Sequence, residues 1–174
     1  MTTKQIIVWT CAYLIELVAV VYFTRATARR VIGALVGGAC VGCFGLGAIV
    51  LGNALGLWRV PIAGTPYFLA LFYLGLSISV TPIYPITWRL ARRFGWRGLV
   101  VFISIVTVIG PPRDYLIAAV FPKWMVFAPG VAPILADAAT YAGIVTLGHA
   151  VMRLIAGPAR EDRLARHPSQ VAKP

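Results

Sequence analysis

The chain is expected to fold as an all-α polytopic membrane protein, a bundle of five transmembrane helices with the fourth broken at Pro111 and Pro112. Three observations carry this expectation. Of 174 residues, 60% are hydrophobic and only 12% are charged, which is more apolar surface than a soluble domain of this size can hide. The apolar residues come in runs of about 20, each continuous rather than alternating, which excludes a transmembrane barrel. Positive charges collect in every second connection between the runs.

The first run, residues 6–23, resembles a signal peptide in having Lys4 before it. Glu16 interrupts it, however, and Arg25, Arg29 and Arg30 follow it at once, which favours a retained anchor. The second run, residues 31–55, carries glycine at 33, 37, 38, 42, 45, 47, 52 and 56. Such a helix lets neighbours approach closely, within the chain or in a homo-oligomer. Cys40 and Cys43 lie one turn apart in the same run and raise the question of dithiol chemistry. Their place among glycines in an apolar helix favours small buried hydrophobes instead.

The third run, residues 67–87, sets Tyr73, Ser77, Thr81 and Tyr84 at helical spacing as a polar stripe. Residues 99–121 form the fourth, interrupted by Gly110, Pro111, Pro112, Arg113 and Asp114. Neither proline has an N–H, so the first half-helix should end near Ile109. A second should start at the prolines, with Asp114 near the positive end of its dipole. The alternative is a short outer loop at Arg113 and Asp114, with residues 115–127 lying along the surface. The fifth run, residues 133–155, places Asp137, Tyr141 and Ile144 on one face. His149, off that face, is read as an interfacial or packing residue.

Lys4, Arg59 and Lys123 stand alone in their segments. Arg25, Arg29 and Arg30 cluster, as do Arg89, Arg92, Arg93 and Arg97, and the basic residues from Arg153 onward. The positive-inside rule then puts the amino terminus outside and the carboxyl terminus in the cytoplasm, in the cell inner membrane. Residues 1–156 are expected to form one transmembrane domain and 157–174 a mobile basic tail. The formal net charge of +11 is assigned to topology and to anionic headgroups rather than to nucleic acid. Trp9, Trp58, Tyr67, Trp88, Trp96 and Trp124 lie near span ends, where amphipathic rings suit headgroup depth.

Ionisable residues within the spans carry the functional expectation, since each is costly if it faces lipid. Glu16, Asp137 and Asp114 are the candidate catalytic groups. Arg113, Tyr141, Tyr84, Ser77 and Tyr13 are the candidate substrate contacts. Arg113 is expected to pair with Asp137, or failing that with Glu16 or Asp114. No HExxH, GxSxG or Walker loop is present, and His149 and His167 have no zinc-ligand spacing to the cysteines. No metal and no cofactor are therefore expected. The pattern fits the binding or conversion of a lipidic or isoprenoid-like molecule at an intramembrane site, with membrane lipids as partners. A proton- or ion-coupled transporter and a non-catalytic subunit assembling through the glycine-rich helix are the alternatives.

Overall fold

The structure, a computed structural model, describes residues 3–60 and 66–159. The expected tail lies outside the described residues from position 160 onward. The architecture is all-α, with helices α1 (Thr3–Thr24), α2 (Ala28–Ala54), α3 (Pro66–Val80), α4 (Ile83–Val120) and α5 (Val131–Ala156). Two short strands, β1 (Trp58–Arg59) and β2 (Val126–Phe127), pair antiparallel with Trp58 opposite Phe127. Four helical stretches are long and apolar enough to cross a membrane: Thr3–Thr24, Ala28–Ala54, Tyr67–Val120 and Val131–Ala156. They make this a multi-pass membrane protein. Val8, Ile15, Val18, Phe23, Val50, Val108 and Leu135 all point outward, as side chains whose solvent is lipid do.

Helix α2 is the axis of the bundle because its glycines let two neighbours reach its backbone. Gly33 meets Met152 and Gly37 meets Gly148 on α5, while Gly38 faces Ser77 and Thr81 and Gly45 faces Leu76 on α3. Partner numbers fall as α2 numbers rise, so both neighbours run antiparallel to it. The Tyr73 hydroxyl donates to the Ala39 carbonyl at 3.0 Å across the same contact. Gly33, Gly37, Gly38, Gly42, Gly45 and Gly52 thus pack within the chain, whereas Gly47 and Gly56 meet open space. Cys40 and Cys43 are exposed on the outward face of α2, which corrects their reading as buried hydrophobes: the inward faces belong to the glycines.

A straight helix over Tyr67–Val120 would be about 80 Å long, far beyond the roughly 30 Å of hydrocarbon. Two features divide it. At Thr81 and Pro82 the helix tightens, with Thr81 N–H donating to the Ile78 carbonyl at 3.2 Å and Tyr84 N–H to the Thr81 carbonyl at 3.1 Å. This splits the polar stripe. Tyr73, Ser77 and Thr81 face α2, whereas Tyr84 turns to α5 and donates to the Ile144 carbonyl at 3.3 Å.

The second feature is Gly95, at φ 67° and ψ −155°, a backbone state that only glycine adopts without strain. Before it, Tyr84 and Thr87 meet α5 at Ile144 and His149. After it, Gly110 meets Tyr141, so the chain has reversed direction along α5. The break expected at Pro111 and Pro112 is not found. Helix α4 runs through both, and Gly95 is its only non-helical residue. The prolines remove two donors, yet their ring-fixed φ of about −65° is itself helical.

At the end of the bundle where α2 begins and α5 finishes, arginines cap helix carbonyls. Arg29 Nε donates to Ile155 O at 3.1 Å and Arg30 Nη2 to Pro158 O at 3.0 Å. Arg30 is only 1% exposed, with its guanidinium 5.4 Å from the centre of the Trp88 ring. Cations at a helix carboxyl end satisfy carbonyls that have no donor of their own. Nearby, the Thr87 hydroxyl donates to Tyr84 O at 2.9 Å, so its 2.9 Å contact with His149 Nδ1 makes that nitrogen the donor. Trp88 and Trp58 are buried, whereas Trp9, Tyr67 and Trp96 are exposed at the surface.

The glycine contacts predict position-dependent costs. A Cβ on Gly37 would lie 2.8 Å from the Gly148 carbonyl oxygen, and one on Gly38 would lie 2.7 Å from that of Ser77, whereas Gly47 has open space. Gly37→Val and Gly38→Val should each lower stability in detergent by about 1–3 kcal/mol, read by thermal unfolding, and Gly47→Val should be near neutral. Equal losses at all three positions would contradict this packing.

Candidate functional site

Polar side chains from four helices converge at the end of the bundle opposite Arg30. They line a chamber of about 350 Å³: Tyr13 and Glu16 from α1, Ser79 from α3, Arg113 and Asp114 from α4, and Asp137, Thr140 and Tyr141 from α5. Ile49 and the connection residues Trp58 and Met125 add apolar wall. The α1 and α5 contributions follow from helical spacing, since positions 13 and 16, and positions 137, 140, 141 and 144, each share a face. Trp58 is held by its indole N–H, 3.4 Å from the Ile49 carbonyl, and by pairing of β1 with β2.

A second cavity, of about 280 Å³, shares Tyr13, Leu76, Ser79 and Arg113 with the first. Its remaining wall is Ile6, Trp9, Thr10, Phe72, Gly75, Ile117 and Trp124. Trp9 and Trp124 meet edge to face at 6.1 Å, and Trp124 stacks on Phe121 at 4.5 Å. An aromatic groove therefore adjoins a polar chamber, with Arg113 between them.

The charges are arranged unevenly. Arg113 Nε donates to Asp114 Oδ1 at 3.1 Å, and its Nη2 lies 3.1 Å from the same oxygen. The guanidinium sits 5.6 Å from the centre of the Tyr141 ring, within cation–π range. Arg113 thus takes its sequence neighbour as partner, the last of the three expected choices, and the pairing with Asp137 is not formed. Asp137 stays close enough to Arg113 and Asp114 to feel both charges. It is 5% exposed, and its Oδ2 has no hydrogen-bond partner among the described residues. The buried Tyr115 hydroxyl is likewise unpartnered among them, while its ring stacks on Phe127 at 4.0 Å.

Six of the eight candidate residues therefore meet in one place: Tyr13, Glu16, Arg113, Asp114, Asp137 and Tyr141. Ser77 and Tyr84 do not line it. Ser77 packs against Gly42, and Tyr84 covers Gly148. Sequence reasoning missed Ser79, Thr140, Trp58 and Met125. Thr140 shared the Asp137 face and could have been found, but Ser79 lay off the polar stripe, and the two connection residues carried no periodic signal. Among the described residues no group of three His, Cys, Asp or Glu side chains is placed to hold a metal ion. No family model, curated protein or solved structure matches the chain.

The Arg113 pairing predicts a coupling that can be measured. Asp114→Leu should cost up to about 1 kcal/mol, because the Arg113 guanidinium that it leaves unpaired is more than half exposed. The double change Arg113→Leu with Asp114→Leu should recover part of that loss in thermal unfolding. Asp137→Asn should change stability little, because it breaks no bond seen at Oδ2. Additive losses across the pair would mean that Arg113 is satisfied elsewhere.

Proposed function

We propose that the protein binds or converts a lipidic, isoprenoid-like molecule whose polar end enters the chamber while its apolar chain lies in the aromatic groove. The observation that carries this reading is the shared wall: one cavity with polar lining and one with aromatic and apolar lining have Tyr13, Leu76, Ser79 and Arg113 in common. The chamber is within the size range of small-molecule sites. In a conversion, Glu16 and Asp137 would exchange protons with the polar end. Asp114 would hold Arg113, while Arg113, Tyr13 and Tyr141 would orient the ligand. Ser77 and Tyr84 would support the site by fixing α3 and α4 on α2 and α5.

The same reading has the chain cross the cell membrane five times, the reversal at Gly95 making two passes of Tyr67–Val120. Arg29, Arg30 and Arg153 lie at the Gly95 end of the bundle, and Arg59 and Lys123 lie in the connections at the chamber end. Under the positive-inside rule the amino terminus and the chamber are then outside, and the carboxyl terminus is cytoplasmic.

Two measurements test these statements. Single cysteines next to Arg59 and Lys123, in a variant without native cysteines, should react with an impermeant reagent in intact cells, and cysteines next to Arg93 should not. The inverse pattern would reverse the orientation. Protein purified in neutral detergent should carry a bound lipid species enriched over the bulk membrane. Ser79→Phe, which puts a bulky ring in the wall common to both cavities, should lower that enrichment at least about fivefold (~1 kcal/mol). A bound-lipid profile equal to bulk in both proteins would remove the lipid reading.

A further inference from the structure

We infer that the polar end of the ligand is positively charged, a protonated amine or ammonium on an amphipathic molecule; this rests on the chamber-and-groove reading above. The charge balance of the chamber comes first. Its ionisable lining is three carboxyl groups, Glu16, Asp114 and Asp137, against the single guanidinium of Arg113. Asp114 already neutralises Arg113 through contacts of 3.1 Å. Whatever protons Glu16 and Asp137 hold, the chamber is neutral or negative and never positive. A phosphate or carboxylate head would leave water only to meet further carboxylates, and like charges in such a setting repel strongly.

The second observation concerns the surroundings of one of those carboxyl groups. Asp137, 95% buried by its 5% exposure, lines the chamber, and its Oδ2, itself buried, has no hydrogen-bond partner among the described residues. A buried carboxylate oxygen is costly without a donor, and an ammonium N–H supplies one together with the opposite charge. The rings of Tyr13, Tyr141 and Trp58 lie in the same wall, and aromatic faces attract a cation. The adjoining groove has Arg113 as its only charged lining residue among those described, so it takes the chain rather than a second charge. Two sources share this chemistry: a membrane lipid with a primary-amine headgroup, and a free long-chain amine.

The test uses the full chain in neutral maltoside micelles and three probes with one 11-bromoundecyl chain, ending in a primary amine, an alcohol or a carboxylate. Bromine in the groove quenches Trp9 and Trp124. At pH 7 the amine is charged and should quench saturably at a concentration about tenfold or more below the alcohol, with the carboxylate weakest. Asp137→Asn should bring the amine's affinity down to that of the alcohol measured on the same variant. Glu16→Gln gives the same comparison if that variant does not fold. Displacement of the bound amine probe by phosphatidylethanolamine assigns a lipid source, and displacement by dodecylamine alone assigns a free amine. Equal binding of all three probes, or tightest binding of the carboxylate, overturns the charge inference and leaves the amphiphile reading standing. Absence of saturable quenching by every probe removes both.

Discussion

The structure depends on one contact, the approach of α3 and α5 to the bare backbone of α2. In lipid, apolar side chains gain nothing by leaving their solvent, so helices associate through close packing and hydrogen bonds. Gly37 against Gly148 and Gly38 against Ser77 bring main chains together, and Tyr73 seals the α2–α3 contact with a hydrogen bond to Ala39. Everything at the chamber end is placed by this contact. Asp137, Thr140 and Tyr141 face inward because α5 is fixed on α2 through Gly148 and Gly143. Ser79 faces inward because the glycine contacts use the neighbouring face of α3.

The two ends of the bundle are built differently. At one end, Arg29 and Arg30 are tied to the carbonyls of Ile155 and Pro158, and His149 is locked to Thr87. That end is held by these bonds, although Thr27 Oγ1 and Trp88 Nε1 are buried there without partners among the described residues. At the other, Asp137 and Tyr115 keep buried oxygens without partners among the described residues, next to a chamber large enough for a ligand's polar end. Unsatisfied buried polar atoms cost stability, and of the six found among the described residues Asp137 Oδ2 alone belongs to a side chain that lines the chamber.

Much of this was legible in the residues, for identifiable reasons. Apolar runs dictate helices in lipid, since the backbone has no other way to satisfy itself. Small-residue spacing on α2 announced close packing. Four of the six candidate residues that meet do so because helical spacing fixes faces: Tyr13 and Glu16 on α1, Asp137 and Tyr141 on α5. Less legible was where helices stop. Pro111 and Pro112 looked like the break, yet proline is compatible with helical φ, and the reversal fell at Gly95, between Arg93 and Arg97. Ser77 and Tyr84 were drawn to the site by a stripe that assumed one uninterrupted helix, which the turn at Thr81 and Pro82 divides. The burial of Arg30 and Trp88 required knowing that α5 would end beside α2, a tertiary fact with no local signature. The partner of Arg113 was open for the same reason.

The central claim is that an amphipathic molecule sits with its chain in the groove formed by Trp9, Phe72, Ile117 and Trp124. Benzophenone-alanine at position 72, inside the groove, and at position 101, on the exposed face of α4, can be photoactivated in native membranes and the adducts identified by mass. The account predicts one dominant amphiphile at position 72, absent or minor among the mixed bulk lipids captured at position 101. The same bulk mixture at both positions would contradict it.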